Sequence, residues 1–300
     1  MLDRGDFVVT AEIGAPHGAD FNLLIERTEM VRDYCDAINI PDNARGVPTM
    51  SCSVCAHYVL QNGAEPIMHL TTRDRNRISI QSELYGAYAL GIRNILFVAG
   101  DHVRYGSHPE AKAVYDLTTI EALSLAIKLS KGSDWVGEEL EGIPEFYLGA
   151  TFNPNDPALE DHVLQTKKKQ EAGAEFFQTQ AIFEPDRLKE FMDLASGLKL
   201  KVLAGIIPLR DAEMAKFMNE QIPEITIPDE TIKRMSDAGA GLDEESGIVE
   251  MRKEGIIIAL ETLEEVRRIK GVNGVHLMGV GWTESIAELT RGANLLPRPE

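Results

Sequence analysis

The chain has 300 residues, of which 44% are hydrophobic, and its formal net charge is −18, from 30 Lys and Arg against 48 Asp and Glu. This acidic balance argues against a nucleic-acid or anionic-membrane surface, since both require basic patches. The hydrophobic content is ample for a large buried core, and no apolar run approaches the roughly 18 residues of a membrane-spanning helix.

The N-terminal segment and the cysteines indicate the compartment. The segment MLDRGDFVVTAEIG has no basic start followed by an apolar run, so it is not expected to act as a signal peptide. Three cysteines, an odd number, argue against a disulfide framework. We therefore expect a reduced, cytoplasmic protein.

Eight short apolar runs follow one another along the chain, and each ends where a loop begins. They are rich in Val, Ile, Leu and Phe with little alternation, which is typical of strands covered by helices on both faces. Eight strand–helix units in about 250 to 300 residues predict an α/β fold, a (β/α)8 TIM barrel that forms a single domain over residues 1–300. The runs span residues 7–13, 37–41, 66–72, 94–101, 146–152, 176–183, 201–209 and 274–281.

Polar segments with helical signals separate these runs. Residues 20–34 place several apolar side chains near one face, and Thr72 is a suitable N-cap for a helix over residues 74–90, whose apolar stripe includes Ile78. The longest helical stretch covers residues 244–270 and is compatible with one helix or two. Shorter helices are predicted over residues 186–194 and 229–235.

Two longer irregular regions, residues 102–115 and 131–144, follow the fourth strand. Loops of this length in such folds are often functional. The first lies at the carboxyl end of a strand, which is where a barrel binds its ligand.

Acidic side chains at strand ends are the first candidates for function. Glu12 lies near the end of the first strand, and apolar neighbours there would raise its pKa and suit it to general-acid catalysis. The alternative is a solvated glutamate. Asp101 closes the fourth strand after Gly100, whose missing side chain allows close backbone approach. An aspartate in this position is also a common turn or cap residue.

Three further polar residues are candidates. Gln180 lies among apolar residues of the sixth strand, so its amide needs partners, either a heterocyclic ligand or neighbouring loops. His69 lies on the third strand, where it either contacts a ligand or belongs to the core. Lys169 belongs to a charge run, which is either a solvated face or a source of one cation for an anionic group.

Cys52 and Cys55 form a CxxC pair, with His57 two residues further on. A tetrahedral metal site needs four ligands, and the chain has no second cysteine pair. A metal or redox role is therefore not expected. The chain also lacks the glycine-rich motifs of Rossmann and P-loop nucleotide sites.

Several segments in order resemble the methylenetetrahydrofolate reductase family. The most specific is HLTTRDRNRISIQSELYGAYALGIRNILFVAGD, residues 69–101, which resembles the third strand, its helix and a fourth strand that ends in Gly-Asp. AEIGAP resembles the family's Glu-bearing first strand, and VYDLTT resembles the segment that follows the flavin-side loop. Residues 149–186 resemble its fifth and sixth strands, and AGIIPL its seventh. The resemblance covers nearly the whole chain and thins after about residue 215.

This resemblance implies a flavin-binding barrel that reduces 5,10-methylenetetrahydrofolate to 5-methyltetrahydrofolate, with hydride from N5 of the reduced flavin. Carried over by position, Glu12 is the acid that opens the folate ring, Asp101 is a catalytic residue near flavin and pterin, and Gln180 binds the pterin. Lys169 is the expected partner of a flavin phosphate. FAD is the expected cofactor, with FMN as the alternative. The cofactor-binding residues implied by the resemblance are His69, Gly100, Asp101, Asp116 and Lys169.

One departure concerns the electron donor. Family members that use NADH directly carry a Gln and a Phe on the helix after the seventh strand, and the aligned residues here are Met214 and Met218. Short members of the family receive electrons from an iron–sulfur or zinc-containing partner subunit, and this chain resembles such a catalytic subunit. We therefore expect a folate substrate, an electron-donating partner and an oligomer.

Two other functions stay open at this point. One is a related flavin barrel, such as a proline-dehydrogenase-like enzyme, which Gln180 and the Gly-Asp motif disfavour. The other is a non-catalytic barrel that docks within an electron-transfer complex, and the presence of Glu12, Asp101 and Gln180 argues against it.

Overall fold

The computed structural model describes residues 1–222 and 224–299, and its centre is a closed barrel of eight parallel strands in sequential order. Every strand overlaps one of the eight predicted runs, so the predicted (β/α)8 fold is confirmed. The strands are β1 (Val8–Glu12), β2 (Ala37–Ile40), β3 (Pro66–Thr71), β4 (Asn94–Val98), β5 (Tyr147–Phe152), β6 (Phe176–Ala181), β7 (Val202–Ile206) and β8 (Val272–Met278).

Ten α-helices surround the barrel in the described part of the chain. One helix follows each strand except β7, which is followed by three. The helices are α1 (Phe21–Val31), α2 (Cys52–Gln61), α3 (Arg77–Ala89), α4 (Thr119–Leu129), α5 (Leu159–Glu171), α6 (Pro185–Leu194), α7 (Ala212–Gln221), α8 (Asp229–Ala238), α9 (Glu244–Arg267) and α10 (Ser285–Gly292). None of these helices is both long and apolar enough to cross a bilayer.

Two helix predictions need correction, and one open alternative is settled. The cap of α3 is Asn76, whose side chain accepts a hydrogen bond from the Ser79 backbone. Thr72 instead directly follows β3, and its backbone donates to the Val98 carbonyl at 3.1 Å. Ile78 is not part of the buried stripe, because 73% of its surface is exposed. The stretch after residue 244 is one helix, α9, despite Gly247.

The strands alternate between an outer and an inner face. Val9 and Ala11 of β1 belong to the large apolar core between strands and helices. Val8 belongs to a smaller cluster with apolar residues of β3, β4, β6 and β7, which fills the lower barrel. Side chains of a strand alternate between its two faces, so Thr10 and Glu12 lie on the same inner face as Val8. Glu12 is at the carboxyl end of the strand. The alternation therefore directs polar side chains of β1 into the barrel and its mouth.

Candidate active site

Glu12 is the last residue of β1 and lies in the mouth of the barrel. Its strand neighbours are Asn39 of β2 and Met278 of β8. One quarter of its side-chain surface remains exposed. The carboxylate is therefore partly desolvated and still accessible to a ligand that enters the mouth.

The neighbours of Glu12 correct the expected direction of its pKa. Burial acts to raise the pKa, but the adjacent imidazole of His276, together with that of His69, outweighs it and leaves the Glu12 pKa below its usual value. His276 Nε2 lies 3.7 Å from Glu12 Oε2, an ion-pair separation slightly longer than a hydrogen bond. The condition for a raised pKa, apolar neighbours, is not met because β8 places an imidazole beside β1.

A layer of polar side chains crosses the barrel beneath Glu12. Thr10 Oγ1 lies 2.9 Å from His276 Nδ1 and accepts a hydrogen bond from Gln178 Nε2 at 3.3 Å. Asn39 Nδ2 donates to Gln178 Oε1 at 2.7 Å and lies 2.8 Å from His69 Nε2. Burial lowers the pKa of His69 to about 4. Apart from His69, the sequence analysis missed this layer, although its members follow the period of two along their strands.

Asp101 lies on the rim, in the loop that follows β4. Its side chain is exposed, and its Oδ2 accepts a hydrogen bond from the Arg45 backbone at 2.8 Å. Gly100 has a φ of +84°, and a Cβ there would approach Thr71 Oγ1 to 2.2 Å. Glycine is therefore required for the chain to turn away from β3. Tyr115 donates to the Gly100 carbonyl at 3.1 Å and holds the turn.

Arg73 is almost completely buried and forms hydrogen bonds with the loops of this rim. Its guanidinium donates to the carbonyl of Asp101 at 3.0 Å, to the carbonyl of Asn43 at 2.9 Å, and to the carboxylate of Asp74. It thereby joins the loops after β2, β3 and β4. The sequence analysis did not identify this arginine, since its partners lie in separate loops.

Gln180 lies at the end of β6, on the same rim. Its Nε2 donates to Glu224 Oε2 at 3.2 Å, and its Oε1 accepts from the Ala181 backbone at 2.9 Å. The side chain is half-buried rather than enclosed, and the fully buried amide of β6 is Gln178, two residues earlier. Gln180 therefore bonds to a neighbouring loop and stays accessible from the mouth.

Lys169 of α5 reaches the carboxyl end of β5. Its Nζ donates to the carbonyl of Thr151 at 2.6 Å, and burial lowers its pKa, although the charge of Glu224 opposes this effect. Lys169 therefore differs from its exposed neighbours Lys167 and Lys168. A half-buried ammonium group at a strand end suits an anionic group such as a phosphate.

Asp116 has a partner of its own. It accepts hydrogen bonds from the Arg77 backbone at 2.9 Å and from two nitrogens of the Arg77 guanidinium at 2.7 and 2.8 Å. The Arg77 side chain holds the pKa of Asp116 at about 2. The pair holds Asp116 against the first residue of α3.

The two methionines of α7 point into the protein. Met214 and Met218 are buried in a core cluster with residues of α8 and α9. Phe217 is instead 45% exposed, and the Arg45 guanidinium lies 5.4 Å from its ring centre. The exposed aromatic of α7 is therefore Phe217. The sequence analysis missed it because the face of α7 that is buried depends on where α8 and α9 pack.

Cys52 and Cys55 lie in the first turn of α2, and both are buried. Burial raises the pKa of the Cys52 thiol well above its usual value and that of Cys55 to about 11. Thiols of this kind are poor nucleophiles. Among residues 1–222 and 224–299, no group of three or more His, Cys, Asp and Glu side chains is arranged to hold a metal ion.

An open cleft of about 440 Å³ begins at Glu12. It runs between the loops after β1, β2 and β8, and its other charged lining residues are Glu26, Arg27 and Glu284. The acid candidate thus lines an open, partly polar cleft.

Comparison with known sequences gives one family over nearly the whole chain. The family described as "Methylenetetrahydrofolate reductase" matches residues 1–294. A protein of Caenorhabditis elegans named "Probable methylenetetrahydrofolate reductase (NADPH)" is 28% identical over 63% of this chain and 28% of its own length. The "5,10-methylenetetrahydrofolate reductase" of Salmonella typhimurium is 26% identical over 72% of this chain and 66% of its own. The alignments to the eukaryotic relatives span about a quarter to two fifths of their length.

Solved structures are similar in fold alone. The crystal structure of DmoA from Hyphomicrobium sulfonivorans aligns over 95% of this chain and 86% of its own, with a TM-score of 0.54 and 10% identity. The crystal structure of the long-chain alkane monooxygenase LadA aligns over 97% of this chain and 91% of its own, with a TM-score of 0.56 and 12% identity.

Proposed function

The chain belongs to the methylenetetrahydrofolate reductase family, and we propose that it is a flavin-dependent oxidoreductase that reduces 5,10-methylenetetrahydrofolate to 5-methyltetrahydrofolate. The observation that carries this proposal is the rim at the carboxyl ends of the strands. Glu12 of β1, Asp101 after β4 and Gln180 of β6 all lie at that end. An acid, a second carboxylate and an accessible amide at one rim support this proposal.

Each residue has a definite task in this reaction. Glu12, once protonated, donates a proton to a ring nitrogen of the folate, which opens the five-membered ring and leaves an electrophilic carbon. Gln180 offers an amide to the donor and acceptor edge of the pterin, in exchange for its bond to Glu224. Asp101 contributes a carboxylate from the rim, held by the Arg45 backbone. A bound reduced flavin supplies the hydride.

The residues around β3 to β5 fit such a cofactor. Lys169 provides a half-buried cation for a phosphate group. Gly100 and Asp101 form a turn at the end of β4, and His69 lies in the polar layer below. Asp116 supports the cofactor region indirectly in this proposal, since its carboxylate is occupied by Arg77. FAD is the proposed cofactor, with FMN as the alternative to be tested.

We propose further that a partner subunit, rather than NADH, donates the electrons. Met214 and Met218 are buried, so neither can contact a reductant at the mouth. Phe217 presents an aromatic ring next to Arg45, but α7 has no glutamine except its last residue, Gln221. An iron–sulfur or zinc-containing subunit is the proposed donor. Rapid reduction of the bound flavin by NADH or NADPH alone would contradict this part of the proposal, whereas a low-potential dye should reduce it.

The cofactor is tested by purification and reconstitution. We expect the protein to bind FAD or FMN, to show a flavin spectrum, and to lose that colour when 5-methyltetrahydrofolate is added without oxygen. A protein that binds neither flavin would overturn the proposal. A flavin that is bleached by L-proline and not by the folate would favour the proline-dehydrogenase-like alternative.

Glu12→Gln tests the acid. We expect a 10²- to 10⁴-fold loss of folate turnover, the usual contribution of a general acid, with flavin reduction by an artificial donor unchanged. Glu29→Gln is the matched control, because Glu29 is an exposed carboxylate on α1. Folate turnover by Glu12→Gln at the rate of the control would show that Glu12 is not the acid.

A further inference from the structure

A short segment before α8, residues 224–228, lies against the rim of the barrel. Two of its side chains, Ile225 and Ile227, are buried in the core cluster that also contains the buried side of α7. The Ile227 backbone donates to Asn219 Oδ1 of α7 at 3.0 Å. The segment is therefore anchored beside α7 through its apolar side chains.

Glu224 begins this segment, and its backbone is bound to the loop after β5. Asn153 Nδ2 and Asn155 Nδ2 donate to the Glu224 carbonyl at 3.1 and 3.3 Å. Asn155 Nδ2 also donates to the Ala181 carbonyl at the end of β6, at 3.0 Å. Because these bonds involve the Glu224 backbone, its side chain can rotate without releasing the segment.

The Glu224 carboxylate contacts the amide to which the proposed function gives the pterin. Gln180 Nε2 donates to Glu224 Oε2 at 3.2 Å, while Gln180 Oε1 accepts from the Ala181 backbone at 2.9 Å. One of the two Nε2 hydrogens is thus bound to Glu224. Glu224 is exposed, so water competes for this bond and a ligand can replace it.

The same carboxylate acts on Lys169 of α5. Lys169 Nζ donates to the carbonyl of Thr151, two residues before Asn153, at 2.6 Å. Burial lowers the pKa of Lys169, and the charge of Glu224 counteracts this effect by stabilising the ammonium form. An anion that binds Lys169 therefore also experiences the negative charge of Glu224 and repels that carboxylate.

We propose that Glu224 is a displaceable internal ligand, whose carboxylate binds the Gln180 amide and partly balances the Lys169 charge until a pterin and a phosphate replace it. The inference rests on the proposed function, since it uses the roles given there to Gln180 and Lys169. A phosphate at Lys169 repels the Glu224 carboxylate and weakens its bond to Gln180. Binding of the flavin thereby favours binding of the folate, and this coupling is reciprocal.

Fluorescence titration of the flavin-free protein with FAD tests the competition at Lys169 without turnover. We expect Glu224→Ala and Glu224→Gln to lower the dissociation constant of FAD by about two- to fivefold, the effect of one exposed charge. In the Lys169→Met background this gain should be lost, because no cation holds the phosphate beside Glu224. Glu220→Ala is the matched control, since Glu220 is an exposed carboxylate on α7.

Steady-state kinetics with an artificial electron donor test the competition at Gln180. The KM for 5,10-methylenetetrahydrofolate should fall about two- to fivefold in Glu224→Ala, because a larger fraction of the molecules then has a free Gln180 amide. We expect this change in KM rather than in kcat. Glu224→Gln keeps an acceptor for Gln180 and should show a smaller change. A higher KM in Glu224→Ala would overturn the proposal and identify Glu224 as a residue that positions Gln180.

The outcomes separate this inference from the proposed function. Equal FAD affinities in Glu224→Gln and the wild type, or the same gain with and without Lys169, contradict the internal ligand alone. If the wild type binds FAD but reduces no folate, the proposed function fails, while the FAD titrations still decide whether Glu224 competes at Lys169. A wild type that binds no flavin contradicts both. Should Glu224→Ala fail to fold, Glu224→Gln retains the shape of the side chain and gives the same comparisons.

Discussion

At the scale of single residues, the same lysine-rich helix contains side chains with different surroundings. Lys168 and Lys169 are adjacent on α5, yet Lys168 is exposed and Lys169 donates to the Thr151 carbonyl at the end of β5. The sequence shows only the charge run. Which lysine turns inward depends on how α5 packs on the barrel.

Lys169→Met should weaken flavin binding by about 10- to 100-fold, because a charged hydrogen bond to a phosphate contributes about 1.5–3 kcal/mol. Lys168→Met is the matched control and should bind flavin as the wild type does. Fluorescence titration of the flavin-free protein with FAD and with FMN measures both. Equal dissociation constants for the two variants would exclude Lys169 from the cofactor site.

His69 makes the stability of the fold depend on pH. Burial holds its pKa at about 4, below the ordinary value of 6.5, so the unfolded chain binds this proton more readily than the folded one. Neutral, buried His69 therefore contributes to the free energy of unfolding, by at most about 3 kcal/mol. This contribution is fully present above about pH 6.5 and is lost as the pH falls towards 4.

Between pH 7 and pH 5, we expect the free energy of unfolding of His69→Gln to fall by about 2 kcal/mol less than that of the wild type. The glutamine keeps an acceptor for Asn39. Urea unfolding at the two pH values measures the difference. His108→Gln should behave as the wild type, since His108 is exposed. Parallel losses in wild type and His69→Gln would contradict the burial effect.

At the scale of elements, local patterns predicted most helices but not their caps or contacts. Thr72 and Asn76 are both good capping residues, and the choice between them follows from where β3 ends and the Arg73 loop begins. Similarly, Gly247 suggested a break in α9, but the helix continues because its other face is anchored to the barrel. Propensity is a weak local preference that packing overrides.

Two glycines of α9 should respond oppositely to alanine. A Cβ at Gly255 would lie 1.8 Å from the Leu209 carbonyl oxygen, so Gly255→Ala should destabilise the protein by about 1–3 kcal/mol through overpacking. A Cβ at Gly247 has no atom closer than 3.4 Å, so Gly247→Ala should stabilise it by about 0.5–1 kcal/mol. Denaturant midpoints measure both. A Gly255→Ala protein as stable as the wild type would show that α9 shifts freely from the barrel.

At the scale of the whole molecule, the C-terminal segment closes the lower end of the barrel. Arg298 donates to the Asp36 carboxylate before β2 and to the Phe7 carbonyl before β1, at 2.9 and 2.8 Å. Asp36 also accepts from the Val9 backbone at 2.8 Å. The Asp36 side chain is only 4% exposed, and Arg298 is the cation paired with this buried carboxylate.

Arg298→Ala should therefore cost about 3–5 kcal/mol of unfolding free energy, because it leaves a buried carboxylate unpaired. Arg298→Met combined with Asp36→Asn should recover part of the loss. Arg268→Ala is the control, since the Arg268 side chain is 77% exposed. Thermal and urea unfolding give the comparison, and a loss as small as that of the control would mean that the terminal segment does not stabilise the barrel.

The amino-acid sequence by itself determined the fold class and the order of strands, because a buried parallel strand is a local apolar run and the eight runs are evident. It also located Glu12, Asp101 and Gln180 at strand ends. Only the tertiary structure decided what surrounds them. Thr10 and His276 are 266 residues apart and meet because the barrel closes β1 on β8. This contact reverses the expected pKa direction of Glu12, since electrostatic neighbours depend on closure and not on local sequence.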